Sequence, residues 1–151
     1  MAISQAAGTE IIRSATFETV NAEQNLIVGE QHHIYTVLSI IINCRELDAT
    51  SDVLQVWLRI WDAKAGATGS GGTPIYIFEA NPQALDTYVW NDKFSFNGYE
   101  PTGISGTLDT AAEQTAIAAQ GGSVANYLRC TPTHGNDNYD VHITFIDQNN
   151  A

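Results

Sequence analysis

Along most of the chain, apolar and polar residues alternate one for one, the period of strands that bury one face. In Thr9 to Val20 the residues Ile11, Ala15 and Phe17 share a face, with Arg13 among them. Asn21 to Asn25 reads as a turn, and Leu26-Ile27-Val28 as a short strand closed by Gly29. Ile34 to Asn43 is rich in β-branched residues: Ile34, Leu38, Ile40 and Ile42 face one way, and Tyr35, Val37 and Ile41 the other. That run predicts a central strand covered on both sides. In Val53 to Asp62, Leu54, Val56, Leu58 and Ile60 oppose Val53, Gln55, Trp57, Arg59 and Trp61.

Glycines make Ala63 to Thr73 a hairpin tip, followed by a strand over Pro74 to Glu79. Thr87 to Trp90 and Phe94 to Phe96 read as strand pieces around the Asn91-Asp92 bend, and Tyr127 to Thr131 and Tyr139 to Ile146 close the chain. In the last strand Val141, Ile143 and Phe145 alternate against His142, Thr144 and Ile146. Helical character is confined to Asp109 to Gln120, with Asp109 as N-cap and Gly121-Gly122 as the stop. About eight short strands separated by turns predict an all-β fold, an antiparallel β-sandwich of jelly-roll type with one short helix in an insertion. At 151 residues there is room for one such domain, residues 10–151, preceded by an N-terminal arm, residues 1–9.

Six Lys and Arg against 17 Asp and Glu give a net charge of −11, which opposes binding to phosphate backbones and anionic membranes, so neither nucleic acid nor membrane is an expected partner. The N-terminus lacks the cationic and apolar stretches of a secretory signal, and Tyr35 to Ile42 is too short to cross a bilayer. A chain made soluble in the cytoplasm is the expectation. Cys44 and Cys130 have neither zinc-site nor disulfide-framework spacing and read as two buried free thiols, with a single bridge as the alternative.

Spacing motifs of catalysis are missing: the sequence holds no GxSxG elbow, P-loop or HExxH, which argues against an enzyme. The neighbours His32 and His33 point to opposite faces of a strand and make a poor metal clip, so a solvated strand entry is expected. His134 and His142 share no evident carboxylate spacing. Asp137, Asp140 and Asp147 crowd the C-terminal region, but the EF-hand spacing is absent and a hydrated acidic turn is expected instead. Hence neither cofactor nor metal is expected.

Trp57, Arg59 and Trp61 project from one face of one strand, with the guanidinium placed to stack between two indoles. Because Leu54, Val56, Leu58 and Ile60 hold the opposite face, the row is a candidate interface, where Trp and Arg are the usual anchors. It can also form a second layer of the sandwich, with Arg59 reaching the rim, or a platform for a sugar.

The stretches IYTVLSIIINCRELDATSDVLQVWLRIWDAKAG, GGTPIYIFEANPQALDTYVWNDKFSFNGYEP and VHITFIDQN resemble small β-sandwich virion accessory proteins of tailed bacteriophages. The shared plan is a strand ending in Asn43-Cys44, the alternation of Val53 to Trp61, the glycine-rich tip and the Tyr-containing strand Ile75 to Phe78. It continues through WNDKF within Val89 to Phe94 and ends in the closing Val141 to Gln148. The likeness covers about two thirds of the chain and departs at Gly106 to Val124, where a helix-like insertion replaces a direct connection. It carries no catalytic residue. What it implies is a capsid decoration, or cement, protein that binds the major capsid protein on the head exterior, oligomerises as a trimer and extends its arm along neighbouring strand edges. A tail or fibre adhesin that binds host glycan is the alternative implication.

Overall fold

The alternation resolves into two antiparallel sheets packed across an apolar core in a computed structural model, which describes residues 5–60, 73–101, 109–119 and 123–150. The strands are β1 (Glu10–Val20), β2 (Gln24–Val28), β3 (His33–Glu46), β4 (Leu54–Ile60), β5 (Thr73–Ala80), β6 (Thr87–Trp90) and β7 (Phe94–Asn97). They continue with β8 (Tyr99–Pro101), the helix α1 (Ala111–Ala119), β9 (Ser123–Ala125), β10 (Tyr127–Pro132) and β11 (Asn138–Asn149). One sheet runs β1-β11-β3-β6 with β7 also on β3; the other runs β2-β10-β4-β5; β8 and β9 form a separate pair. Since β6 and β7 share one flank of β3, they act as halves of one edge. The chain then weaves between sheets in the order of a jelly roll. The expected sandwich is present.

Inward-facing positions supply the core. Val37, Ile40 and Ile42 of β3 and Val141 and Ile143 of β11 meet Leu54 and Val56 of β4 and Leu128 of β10, all at 0 % exposure. The open side between β5 and β6 is closed by aromatics, with the ring of Phe78 stacked 5.2 Å from that of Trp90. Cys44 and Cys130 are buried free thiols, as expected.

Four expectations need correction. Leu38 is a bulge: Thr144 pairs with Ser39 but Phe145 with Val37, so one residue of β3 has no opposite number. The bulge flips the phase of the strand, and His33, Tyr35, Val37, Ile40, Ile42 and Cys44 all face inward. Ile34 and Ile41 turn outward, more than a third exposed, so β3 is internal in its sheet but covered on one side only. The helix is capped by Thr110 rather than Asp109. Thr110 Oγ1 accepts the Glu113 N–H at 3.2 Å while the Glu113 carboxylate accepts the Thr110 N–H at 3.3 Å, a reciprocal capping box.

Nor is the described part of the arm extended. Gly8 N–H donates to the Asn149 carbonyl and Asn149 N–H to the Thr9 carbonyl, which prolongs the β1–β11 ladder within one chain. Gln5 is tied down as well, its Nε2 donating to the Asp147 carbonyl at 2.8 Å. The acidic turn is not a hydrated one. Asp137 is 1 % exposed and accepts the N–H groups of Asp48 and His134 at 2.9 and 3.0 Å, bracketing two loops. The hairpin tip, residues 63–72, and most of the insertion outside α1 lie outside the described residues.

Candidate functional site

Two places gather functional side chains. The first is the outer face of the β2-β10-β4-β5 sheet, where the expected aromatic row begins. Trp57 and Arg59 stand on that face, opposite the buried Leu54, Val56 and Leu58; Trp61 lies outside the described residues. The cation over Trp57 is Arg129 of β10, its guanidinium carbon 5.7 Å from the centre of the indole and 4.5 Å from that of the Tyr127 ring. Residues of neighbouring strands thus contribute to the cluster. Arg129 is fixed by Asn25 Oδ1 at 2.6 Å and by the Glu23 carboxylate at 3.0 Å, and Trp57 Nε1 donates to Thr131 Oγ1 at 3.0 Å.

A bulge in β5 brings Tyr76 directly opposite Trp57, their ring centres 6.3 Å apart. Tyr76 is 59 % exposed and Ile75 beside it 45 %. The result is a rigid aromatic shelf on a sheet edge, with its indole N–H already satisfied and its cation neutralised.

The second place is a cleft of about 490 Å³ between β2 and the β1-β11-β3 flank of the other sheet. At its floor Asp147 accepts from Arg13 Nε at 2.9 Å through Oδ2 and from His33 Nδ1 at 2.6 Å through Oδ1. The carboxylate is 3 % exposed and His33 8 %, so Asp147 is a buried carboxylate with both oxygens bonded. A left-handed residue, His32 at φ 64°, turns the chain into β3 and makes His33 its first inward side chain. The expectation of a solvated strand entry therefore fails for His33. Tyr35 completes the floor. Its hydroxyl accepts the Glu30 N–H at 3.0 Å, and burial, reinforced by the charge of Asp147, pushes the phenol well above its ordinary range.

Between β2 and β3 the chain approaches the end of β7 through two glycines. A Cβ on Gly29 would lie 2.0 Å from the Gly98 carbonyl oxygen, and one on Gly98 would lie 2.3 Å from that of Glu30, so only glycine lets these backbones meet.

The rings of His142 and His134 have partners nearer the surface. His142 Nδ1 pairs with Thr16 Oγ1 at 2.7 Å on the outer face, and His134 lies 3.6 Å from the half-exposed carboxylate of Asp48. Among the described residues no group of His, Cys, Asp and Glu is arranged to hold a metal ion. No protein-family model matches the chain, and no curated protein or solved structure matches it.

Proposed function

We propose that the protein is a non-enzymatic structural component of a tailed phage, a capsid decoration protein that assembles as a homo-oligomer, a trimer, on the exterior of the head. The observation that carries this reading is the shelf of Trp57 and Tyr76. Its sheet already fills the core with its other face, so the aromatic surface is free to be buried by a partner. Exposed Val28, opposite Tyr127 on the outer face of the same sheet, widens the apolar area. Viral coat domains are among the uses of the jelly roll, which is an analogy of fold and adds no site.

Mechanically, the shelf docks on the seam between major capsid protein subunits and excludes water there. The outer edge of β5, unpaired among the described residues, supplies backbone hydrogen bonds in place of residues 5–9, which bond within the chain. Many symmetry-related contacts then make modest single affinities additive in effect. A net charge of −11 suits the outside of a head, away from packaged DNA. The test is co-sedimentation of the purified protein with empty heads of the parent phage, alongside light scattering of the protein alone. Saturable binding and a trimer mass are expected; a monomer that ignores heads ends the reading.

The exposed ring of Tyr76 beside Trp57 also favours a second reading, a tail or fibre adhesin whose shelf stacks on host glycan. Glycan-array binding abolished by Tyr76→Ala would support it over capsid decoration.

A further inference from the structure

We propose that the outer face of the β1-β11-β3-β6 sheet binds the same face of a second copy of this chain, with the strands of the two sheets crossing near a right angle. This goes beyond the capsid reading, which uses the other sheet, and does not rest on it. Among the described residues, four large exposed apolar side chains, Ile12, Ile34, Ile41 and Val89, stand on this one face, Ile12 at 71 % exposure and Val89 at 56 %.

Register lays the face out. One cross-strand row runs Ile12, Ile146, Thr36 and Ser95. Two rows further on runs another, Thr16, His142, Ile41 and Val89, and Ser14, Thr144 and Ser39 lie between them. None of these side chains is a carboxylate, lysine or arginine, in a chain that carries 17 Asp and Glu. Charge begins only beyond them, with Glu10 past one end and Glu18 and the Arg45–Asp140 pair past the other. Two chains of net charge −11 repel each other across most of their surfaces, so a contact between copies needs a patch of this kind. Its polar groups also bond sideways to one another. Thr36 Oγ1 lies 2.8 Å from Ser95 Oγ, and Thr16 Oγ1 2.7 Å from Nδ1 of His142, the one titratable group in these rows. Covering groups already paired in this way costs less than covering free ones.

The pattern selects the second copy and the angle. Strands about 4.8 Å apart and a rise near 3.4 Å per residue make the block bounded by the two rows almost square, about 14 Å on a side. Apolar pairs, Ile12 with Ile146 and Ile41 with Val89, fill two diagonally opposite corners, and the polar pairs Thr36–Ser95 and Thr16–His142 fill the other two. A two-fold axis along either diagonal sets apolar corners on apolar corners and polar on polar. It also turns the strands by about 90°, one of the two favoured angles for packed sheets. An axis along the strands would instead set Ile12 against Ser95, and one along the rows would set it against Thr16. With a margin of half a spacing, the square covers roughly 400 Å² per copy, the scale of a weak, reversible contact. It joins copies two at a time and is compatible with a three-fold contact made elsewhere on the chain.

The experiment is cross-linking of the purified full chain with a short bismaleimide whose reach matches the ~10 Å between packed sheets. Cys44 and Cys130 are buried, so the added thiols of Ile12→Cys, Val89→Cys, Thr16→Cys and Ser95→Cys, one per variant, report alone. The variants are mixed in pairs at submillimolar concentration and the covalent dimers counted. An axis along one diagonal gives dimers of Ile12→Cys with itself, of Val89→Cys with itself, and of Thr16→Cys with Ser95→Cys. The other diagonal gives Ile12→Cys with Val89→Cys, and each polar-corner variant with itself; either set supports the proposal. Adding Ile12→Asp to the Thr16→Cys and Ser95→Cys variants should then cut the yield about tenfold or more, with an unchanged melting temperature because Ile12 is exposed. An undiminished yield would overturn the proposal, as would dimers no more abundant than those of Asn136→Cys in the exposed turn before β11. So would dimers dominated by Ile12→Cys with Ser95→Cys or Thr16→Cys, or dimers of Ile12→Cys with itself and none through Val89→Cys, the mark of β1 edges pairing side by side. Heads take no part, so this result and the head-binding result can each fail while the other stands.

Discussion

Arg129 lies over the indole of Trp57, and the two residues come from adjacent strands, β10 and β4, paired directly in register. The cation is held from behind by Glu23 and Asn25 of the β2 side, so three strands fix the plane of one ring. An indole so immobilised loses little entropy when a partner covers it, which is what an anchoring residue requires.

Replacing Trp57 with Ala tests that role against its opposite neighbour in sequence. Trp57→Ala removes a partly exposed ring and one cation–π contact, so folding stability should fall by about 1 kcal/mol, a shift of roughly 2–4 °C in Tm. Head binding should weaken far more, by about 2 kcal/mol or more per site. Leu58 faces the core at 5 % exposure, and Leu58→Ala should cost about 2–5 kcal/mol of stability. Calorimetry of both variants beside head co-sedimentation reads the contrast. A melting collapse in Trp57→Ala equal to that in Leu58→Ala would place the ring in the core's service instead.

The acid limb of stability should carry the mark of Asp140. Burial alone would raise its carboxyl, but hydrogen bonds from Arg45 and the Thr19 N–H, with the Arg45 charge, outweigh it and hold the group below the usual carboxylate range. A carboxyl whose folded value is depressed contributes fully above its unfolded value, near 3.9, and loses that contribution as pH falls through the lower folded one. Asp140→Asn should therefore be less stable than wild type at pH 7, and the gap should narrow below about pH 4. Urea midpoints across a pH series measure this; a gap independent of pH would mean the pair contributes no linkage.

Thiol reactivity offers a check on the core. Burial pushes the Cys130 thiol up to about 12, and Cys44 is raised too, by burial first and then by the charge of Asp137. Neither should react with a disulfide reagent at pH 8 in the native state, and both should react at once in denaturant. A mass two hydrogens lighter after alkylation quenching would instead reveal a bridge between them.

How far the sequence led depends on which physical scale a feature occupies. Arg13, His33 and Asp147 are each in phase with the apolar residues of their own strands: Ile11 and Ala15, Tyr35 and Val37, Ile143 and Phe145. The alternation therefore already marked all three as inward, and the pairing of His32 with His33 obscured it. Their meeting was not legible, because it needs β11 inserted between β1 and β3, with partners 134 and 114 residues apart. The same holds for Trp57. Its exposure on the outer face followed from Leu54, Val56 and Leu58 on the other, but its cation comes from across the sheet. The bulge at Leu38 defeats a strict period of two, since one extra residue reverses every later side chain.

Two buried tyrosines should respond to the same substitution with opposite signs. Tyr139 of β11 is 0 % exposed, and its hydroxyl has no hydrogen-bond partner among the described residues. Burial and the nearby charge of Asp137 keep the phenol protonated, so what remains is a polar group held out of water for no return. An unsatisfied buried hydroxyl costs about 1–3 kcal/mol, whereas an apolar group of the same shape is neutral or better. Tyr139→Phe should accordingly leave stability unchanged or raise it by about 1 kcal/mol. Tyr35 differs in one bond: its hydroxyl accepts the Glu30 N–H at 3.0 Å, at 3 % exposure. Tyr35→Phe orphans that amide and should cost about 1 kcal/mol or more, with shape and burial otherwise conserved. Chemical denaturation of the two variants under identical conditions gives both values with the same slope. A loss in Tyr139→Phe matching that in Tyr35→Phe would show that the Tyr139 hydroxyl is bonded in the folded protein in solution.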